Sequence, residues 1–451
     1  MKKKILLISP TLEQNVKVKS ATWLPGLALN IIAAITPKEF DVEIIDEEAE
    51  IIDYDAECDI VGLSFMTSKA PRAYEIAKEF KKRGKTVVFG GIHASLLPDE
   101  VLQHGDAVVI GEGESAWEKL LSDYTNNNLQ RKYQIKTTDL SKYPLPRREL
   151  TKIKGLFDVK PILTTRGCPY TCNWCCVPVF FGREIRHIPV SKVVDDIVTS
   201  KGKNFLFLDD NIIGYPKYAK ELFIAIAPLN TRWVGQASIS FVKDLELMKL
   251  AKDSGCKGLF FGLENVSKNL PKGIRKNIKE MSKLEDAIKK VKDLGIHFHA
   301  SLIFGYDDDT EAVFDETLEF LMRNKIGTVT FNILTPYPGT KIFEQYKEEN
   351  RLLTENWKYY DQWTVVYKPK NMSPMALAEG YLKVRKEFLS IGSIAKRFMG
   401  NLSHPFMYTA INIDNRSNIK KDLIKLPNRM NTILNESLTE KIEKELYCVV
   451  N

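Results

Sequence analysis

The sequence predicts an α/β protein: a doubly wound parallel-sheet domain, a partial (β/α)6 barrel and a mixed carboxyl-terminal region. Three observations predict it. Short apolar runs alternate with amphipathic helical periods in two separate stretches, the pattern of parallel sheets with helical crossovers. Several of those runs end in glycines or acids, as loops do at the carboxyl edge of such sheets, where ligands bind. With 44% hydrophobic and 27% charged residues over 451 positions, the chain can bury a sizeable core. No stretch reaches the roughly 18 uninterrupted apolar residues of a membrane span.

The opening "MKKKILLISP" has the outline of a signal peptide, but its apolar run is only "ILLI" and polar "SPTLEQN" follows, so it reads as the first strand. "WLPGLALNIIAAIT" reads as a helix with a Pro-Gly turn near its start. "DVEIID" and "DIVGLSFMT" are strands, and "APRAYEIAKEFKKRG" is an amphipathic helix. "TVVFGGIH" and "AVVIGEGE" are buried strands ending in glycines, before the helix "SAWEKLLSDYT". These elements assign residues 1–128 to the first domain. Over 129–158 the periodicity fades into polar, proline-bearing sequence, read as a linker.

The alternation resumes over 159–350 with "KPILTTRGC", "NFLFLDDN", "RWVGQAS", "CKGLFFGLEN", "HFHASLIFGY" and "TVTFNILTPYPG", separated by helical patterns such as "SKVVDDIVTSK" and "EDAIKKVKDLG". Six strand–helix units make a partial barrel rather than a closed one of eight. Residues 351–451 are mixed, end in a helical "SLTEKIEKELY", and are assigned to closing the barrel or shaping a substrate pocket. Within them "LSIGSIAKRFMGNLSHPFMYTA" mixes basic and apolar residues; a buried helix and loop explains it more simply than a segment lying on a membrane surface.

The net charge of +7 comes from lysines spread over helices such as "KEFKKRGK", so solvated helix faces are expected rather than a nucleic-acid groove. Cysteine is sparse except in "TTRGCPYTCNWCC", residues 164–176, which holds four of the seven. A cytoplasmic setting is expected, where clustered thiols stay reduced and bind metal or do redox work. The cluster follows the first barrel strand, at the end of the barrel that carries catalysis. Three thiolates can hold three irons of a cubane and leave one iron open. A zinc site completed by Cys176 or His187, or incidental buried thiols, are the competing readings. Adjacent Cys175 and Cys176 suit zinc poorly, and Cys176 reads as a packing residue.

In this spacing, preceded by "TTRGCPY" and followed by "FFGREIR", the chain resembles the radical S-adenosylmethionine enzymes. The resemblance implies that Cys168, Cys172 and Cys175 ligate a 4Fe-4S cluster whose open iron chelates S-adenosylmethionine. Reduction by an external donor such as flavodoxin or ferredoxin then yields methionine and a 5′-deoxyadenosyl radical that abstracts hydrogen. It further implies a backbone contact from Trp174 to adenine. Asp209 and Asp210 in "FLFLDDN" are expected at the methionine part of the cofactor, Glu264 in "FFGLEN" at ribose or methionine, and Gly305 in "SLIFGYDDDT" near adenine. Helix capping is the alternative role for the acids. "PYPGT", Pro336 to Thr340, follows the sixth strand as in related enzymes.

A parallel-sheet domain ahead of such a barrel resembles the cobalamin-dependent branch of that family. Ser64 and Thr67 in "DIVGLSFMTS" and Gly90 and Gly91 in "VVFGGIHAS" resemble the elements that hold cobalamin's buried nucleotide tail; Gly111 and Glu112 in "VIGEGES" resemble a Gly-Glu-x-Glu element of the branch. The Asp-x-His-x-x-Gly motif that ligates cobalt is absent after the first strand, where "PTLEQNVKVKS" stands. Cobalamin is therefore expected base-off with no histidine ligand, His93 being a tail contact or a surface residue.

The resemblance implies a methyltransferase acting at an unactivated carbon of a small-molecule or lipid-like substrate. One S-adenosylmethionine would methylate cobalamin and a second would generate the radical. Alternatives are a cyclase or rearrangement enzyme of the same branch, with or without cobalamin, and a non-enzymatic cofactor sensor. A methylthiotransferase would need three further amino-terminal cysteines, and only Cys58 precedes the loop.

Overall fold

The computed structural model describes residues 2–12, 26–134, 138–151, 158–267 and 281–450, with side chains to 439. They form two compact units: residues 1–171, 175–236 and 253–255 in the first, residues 172–174, 237–252 and 256–451 in the second.

The first unit opens with β1 (Lys3–Ser9), β2 (Phe40–Asp46), β3 (Ile60–Ser64), β4 (Thr86–Gly90), β5 (Ala107–Ile110) and β6 (Lys132–Gln134). All pair in parallel, in the order β2-β1-β3-β4-β5-β6. Helices cover both faces, so β1 is apolar without alternation, Ile5 to Ile8 all being buried. One face packs Ile5, Leu7, Val88 and Val109 against Trp117 and Leu120. The winding reverses between β1 and β3, and at such a switch point the strand ends part to form a ligand crevice. The helix expected over 23–36 runs Ala28–Ile35, positions 23–25 lying outside the described residues. β6 falls in the stretch read as linker.

The same unit carries three barrel strands: β7 (Val159–Ile162), β10 (Asn204–Phe207) and β11 (Arg232–Ala237), with β10 parallel to both β7 and β11. The run "PILTTRG" is not one strand. β7 stops at Ile162, and β8 (Thr165–Arg166) pairs antiparallel with β9 (Arg186–His187). Gly167 follows at φ +95°, where a Cβ would lie 2.1 Å from the Glu184 carbonyl oxygen. Only glycine permits this turn.

The second unit carries β12 (Cys256–Glu264), β13 (His297–Phe304) and β14 (Thr328–Ile333), parallel in that order. Helices 281–293 and 312–323 connect them. The carboxyl-terminal region packs on these strands: Tyr381 Oη donates to the Phe331 carbonyl at 3.3 Å, and Tyr367 Oη donates to the Gly305 carbonyl. It ends in the helix 405–450, which incorporates the expected "SLTEKIEKELY". No helix among the described residues is long and apolar enough to cross a membrane.

Candidate functional site

A cavity of about 300 Å³ opens in the first unit at the switch point. Its floor is the carboxyl ends of β3, β4 and β5: Ser64, Gly90, Gly91 and the loop from Gly111 to Glu114. Its remaining wall includes Leu163, Thr165 and Arg166 beside β7 and β8, Leu208 and Asp210 after β10, and Phe180 and Phe181. Gly91 has φ +89°, and a Cβ there would sit 2.8 Å from Phe65 N and 2.9 Å from Phe65 O. At Gly90 a Cβ would meet nothing within 4 Å. The backbone therefore forms an uncluttered slot suited to a flat base, and these residues fit a cobalamin tail.

The structure thus brings Ser64, Gly90, Gly91, Gly111, Glu112 and Asp210 to one cavity. Thr67 and His93 stand apart from its lining. Thr67 is buried and its Oγ1 has no hydrogen-bond partner among the described residues. His93 is fully buried, its Nε2 3.0 Å from Tyr74 Oη and its ring beside those of Phe65 and Tyr74. The surface reading of His93 is therefore corrected, because the short helix 92–96 turns its ring toward Phe65 and Tyr74 instead of outward.

Glu112 closes the loop after β5 with buried charge. Its carboxylate accepts from Arg166 Nη1 at 2.9 Å, from Arg186 Nη1 at 3.0 Å and Nη2, and from the Thr138 backbone N–H at 3.3 Å. Arg166 Nη2 also reaches Glu114. Burial alone would raise the Glu112 pKa, but the two guanidiniums hold it below the usual carboxylate range. Neither arginine was singled out from the sequence, although Arg166 stands in the quoted "TTRGC".

Cys168 follows this network directly, after Gly167. Cys168, Cys172, Cys175 and Cys176 form no disulfide among the described residues and are partly exposed. Cys168 and Cys175 belong to the first unit and Cys172 to the second. Among the described residues no three His, Cys, Asp or Glu side chains are already gathered to hold a metal ion. The donor set, cysteine sulfurs on one loop, fits iron by its chemistry.

The two acids after β10 differ. Asp209 is fully buried and accepts from Thr164 Oγ1 at 2.6 Å and Thr165 Oγ1 at 2.5 Å, tying β10 to the strand before the cysteines. Burial pushes its pKa to about 6. Asp210 lines the cavity, and burial followed by the neighbouring Asp209 charge pushes it to about 7. The next helix starts at Pro216 and its N-cap, Tyr215, makes no side-chain bond, so neither acid caps it.

In the second unit Trp174 packs edge-on against Tyr306, ring centroids 5.3 Å apart, and the Asn173 carbonyl accepts from Ile342 N at 3.1 Å. Gly305, at φ +98°, ends β13. Its N–H and that of Tyr306 donate to Asp309 Oδ2 at 2.8 and 3.0 Å, while Asn265 donates to Asp309 Oδ1 at 2.6 Å. A Cβ at Gly305 would lie 2.2 Å from Tyr367 Oη. Glu264 ends β12 beyond an irregularity in register, buried and at φ +64°. Tyr306 Oη is buried without a hydrogen-bond partner among the described residues. Burial and the nearby charges of Glu264, Asp309 and Cys172 hold it protonated. Tyr306, Asp309 and Tyr367 were not found from sequence, because no spacing rule marks a residue whose role is to shape a turn. In "PYPGT" Thr340 caps the helix 341–348, its Oγ1 accepting from Phe343 N at 3.4 Å.

Comparison with known proteins agrees with this geometry. The family model of the B12 binding domain matches residues 15–121, and that of the Radical SAM superfamily residues 162–321. The chain is 32% identical over 416 residues to bacteriochlorophyllide d C-12(1)-methyltransferase of Chlorobaculum tepidum, covering 88% of this chain and 90% of that protein. It is 31% identical over 396 residues to bacteriochlorophyllide d C-8(2)-methyltransferase of the same organism, covering 83% and 88%. The structure of TsrM, a radical S-adenosylmethionine methyltransferase from Kitasatospora setae with cobalamin and a 4Fe-4S cluster bound, superposes with a TM-score of 0.69. It does so at 16% identity over 92% of this chain and 100% of that one, a likeness of fold.

Proposed function

The chain belongs to the radical S-adenosylmethionine enzymes that carry a B12-binding domain, and on that premise we propose that it is a cobalamin-dependent methyltransferase acting at carbon. The observation that carries the reading is the cavity at the switch point. Glycine-rich strand ends of the first sheet and strand ends of the barrel line one wall-to-wall space, with the cysteine loop leaving it through Arg166 and Gly167. When bound, a 4Fe-4S cluster supplies the electron that cleaves S-adenosylmethionine, and cobalamin supplies a transferable methyl group.

The chain's own residues have distinct tasks in this reading. Cys168, Cys172 and Cys175 hold the cluster. Ser64, Gly90, Gly91 and Gly111 form the tail slot, with Glu112 keeping its rim in place. Trp174, Glu264 and Gly305 contact S-adenosylmethionine, and Tyr306 supports Trp174 from behind. Asp209 ties strand ends together, and Asp210 faces the cavity. His93 is occupied within the core, which supports cobalt without a histidine ligand. The domain limits are 1–128, 129–158, 159–350 and 351–451. A reducing, cytoplasmic setting with a flavodoxin- or ferredoxin-type donor suits a loop rich in cysteine. The named relatives methylate bacteriochlorophyllides, which supports a small organic substrate, a tetrapyrrole among the first to try.

The test is anaerobic purification and cluster reconstitution, with iron, sulfide and cobalamin quantified together. S-adenosylhomocysteine and 5′-deoxyadenosine are then assayed with candidate substrates. Iron and cobalamin both bound, and both products formed, are expected. Formation of 5′-deoxyadenosine without S-adenosylhomocysteine would replace methyl transfer by rearrangement.

A further inference from the structure

The segment 389–410 is a helix and loop, as its sequence suggested, but only one side of it is buried. On that side Arg397 is fully enclosed, donating to the carbonyls of Ile326, Gly327 and Phe388 at 2.9, 2.7 and 2.8 Å. The other side faces out. Met399 is 66% exposed, Leu402 53% and Phe406 72%. Three large apolar side chains within eight residues, all turned to solvent, form a patch rather than scattered exceptions.

Lysines surround that patch. Lys396 is exposed one helical turn before it. The Lys325 side chain lies against Gly400 with Lys292 Nζ beside it, and Lys252 Nζ stands by Gly295, next to Ser403. Their partners are neutral: Lys292 donates to the Asn324 and Lys325 carbonyls at 3.1 Å each, and Lys252 to Gly295 O at 3.4 Å. None of these four lysines forms an ion pair among the described residues. Burial and the charge of Lys325 hold the Lys292 pKa below its ordinary value, only partly offset by Asp293. The cluster is thus a net concentration of positive charge around apolar tips.

The helix 405–450 extends the face. At about 100° per residue, Ile413 and Ile424 fall within about 20° of Phe406, and they are 58% and 68% exposed. Lys420 and Lys421, between them, are exposed as well. The stripe is about 27 Å long from Phe406 to Ile424 at 1.5 Å per residue.

We infer that this face, centred on Met399, Leu402 and Phe406, seats the protein on an anionic lipid bilayer. Apolar tips enter the headgroup boundary while the surrounding lysines meet lipid phosphates. A second copy suits the face less well, because a two-fold interface would bring the same lysines against one another. The inference stands on the second unit alone and does not depend on the reaction catalysed.

The test is flotation of the full chain, anaerobically, with phosphatidylcholine vesicles and with vesicles also containing phosphatidylglycerol. Binding to the anionic vesicles only, weakening as salt rises, is expected. Met399→Ser, Leu402→Ser and Phe406→Ser together should lower the partition coefficient by at least about tenfold, and Lys325→Glu with Lys396→Glu by at least about thirtyfold. The charge-reversal pair lies on exposed side chains and should unfold at the wild-type temperature, separating binding from folding. No flotation with anionic vesicles overturns the inference, as does flotation that both variants leave unchanged. A dimer in sedimentation velocity that the triple serine variant dissociates would assign the face to a second copy instead.

Discussion

Glu112 and Arg166 are joined at 2.9 Å, and both are buried. Glu112 ends a loop of the first sheet, and Arg166 stands two residues before Cys168, so one ion pair connects the cavity's floor to the start of the cysteine loop. Replacing Arg166 by Ala leaves Glu112 and Glu114 buried with too little opposing charge. A loss of about 3 kcal/mol in unfolding free energy is expected, larger than a surface pair would give. Glu112→Gln keeps the shape and loses the charge, so it should retain iron but less cobalamin. Metal and corrinoid analysis of the two variants checks both statements; cobalamin content equal to wild type in Glu112→Gln would refute the second.

Gly90 and Gly91 make a matched pair of tests. Gly91→Ala sets a Cβ against the Phe65 backbone at positive φ, and a cost of about 1–3 kcal/mol is expected, with cobalamin retention lost. Gly90→Ala meets only open space and should fold as wild type does. Thermal unfolding of the two proteins decides it, since equal melting temperatures would mean that the tight turn at Gly91 relaxes freely.

Four cysteines stand in the loop, and three are assigned to iron. Single alanine variants at Cys168, Cys172 and Cys175 should each fall well below four irons per chain after reconstitution. Cys176→Ala should not, because burial raises its thiol pKa and disfavours the thiolate a metal needs. Iron lost in the Cys176 variant instead would reassign the ligand set.

Much of this organisation was legible in the sequence because hydrophobic period and spacing are local. β1 to β5 and five of the six barrel strands lie where apolar runs placed them, the first barrel strand stopping short at Ile162, and the glycines at Gly90, Gly91 and Gly111 lie at strand ends, as parallel-sheet logic requires. What escaped was non-local. Nothing near Arg166 in sequence announces Glu112, 54 residues earlier, and nothing near Gly305 announces Tyr367, 62 residues later. The outward face of 389–410 escaped for a related reason. Helical period reports that one side is apolar, but "KRFMGNL" mixes both sides, and only the burial of Arg397 reveals which way the helix is turned.

The two acids after β10 make stability depend on pH in a direction opposite to that of most carboxylates. Burial raises Asp209 to about 6 and Asp210 to about 7, from an ordinary value of 3.8. Between pH 4 and 7 the folded chain therefore holds protons that the unfolded chain has released. By linkage, stability from this pair is present below pH 4, declines as pH rises to about 7, and is level above it. Glu112, held below the ordinary range by its arginines, contributes in the reverse sense, its stabilisation being lost only in acid. Asp210→Asn removes the cost of a buried charge, so it should stabilise the chain by about 4 kcal/mol at pH 8 and by only about 1 kcal/mol at pH 4.5. Urea unfolding of variant and wild type at the two pH values measures the difference directly. A gap between them that does not grow with pH would mean that Asp210 is ionised without cost, with water reaching it through the cavity it lines.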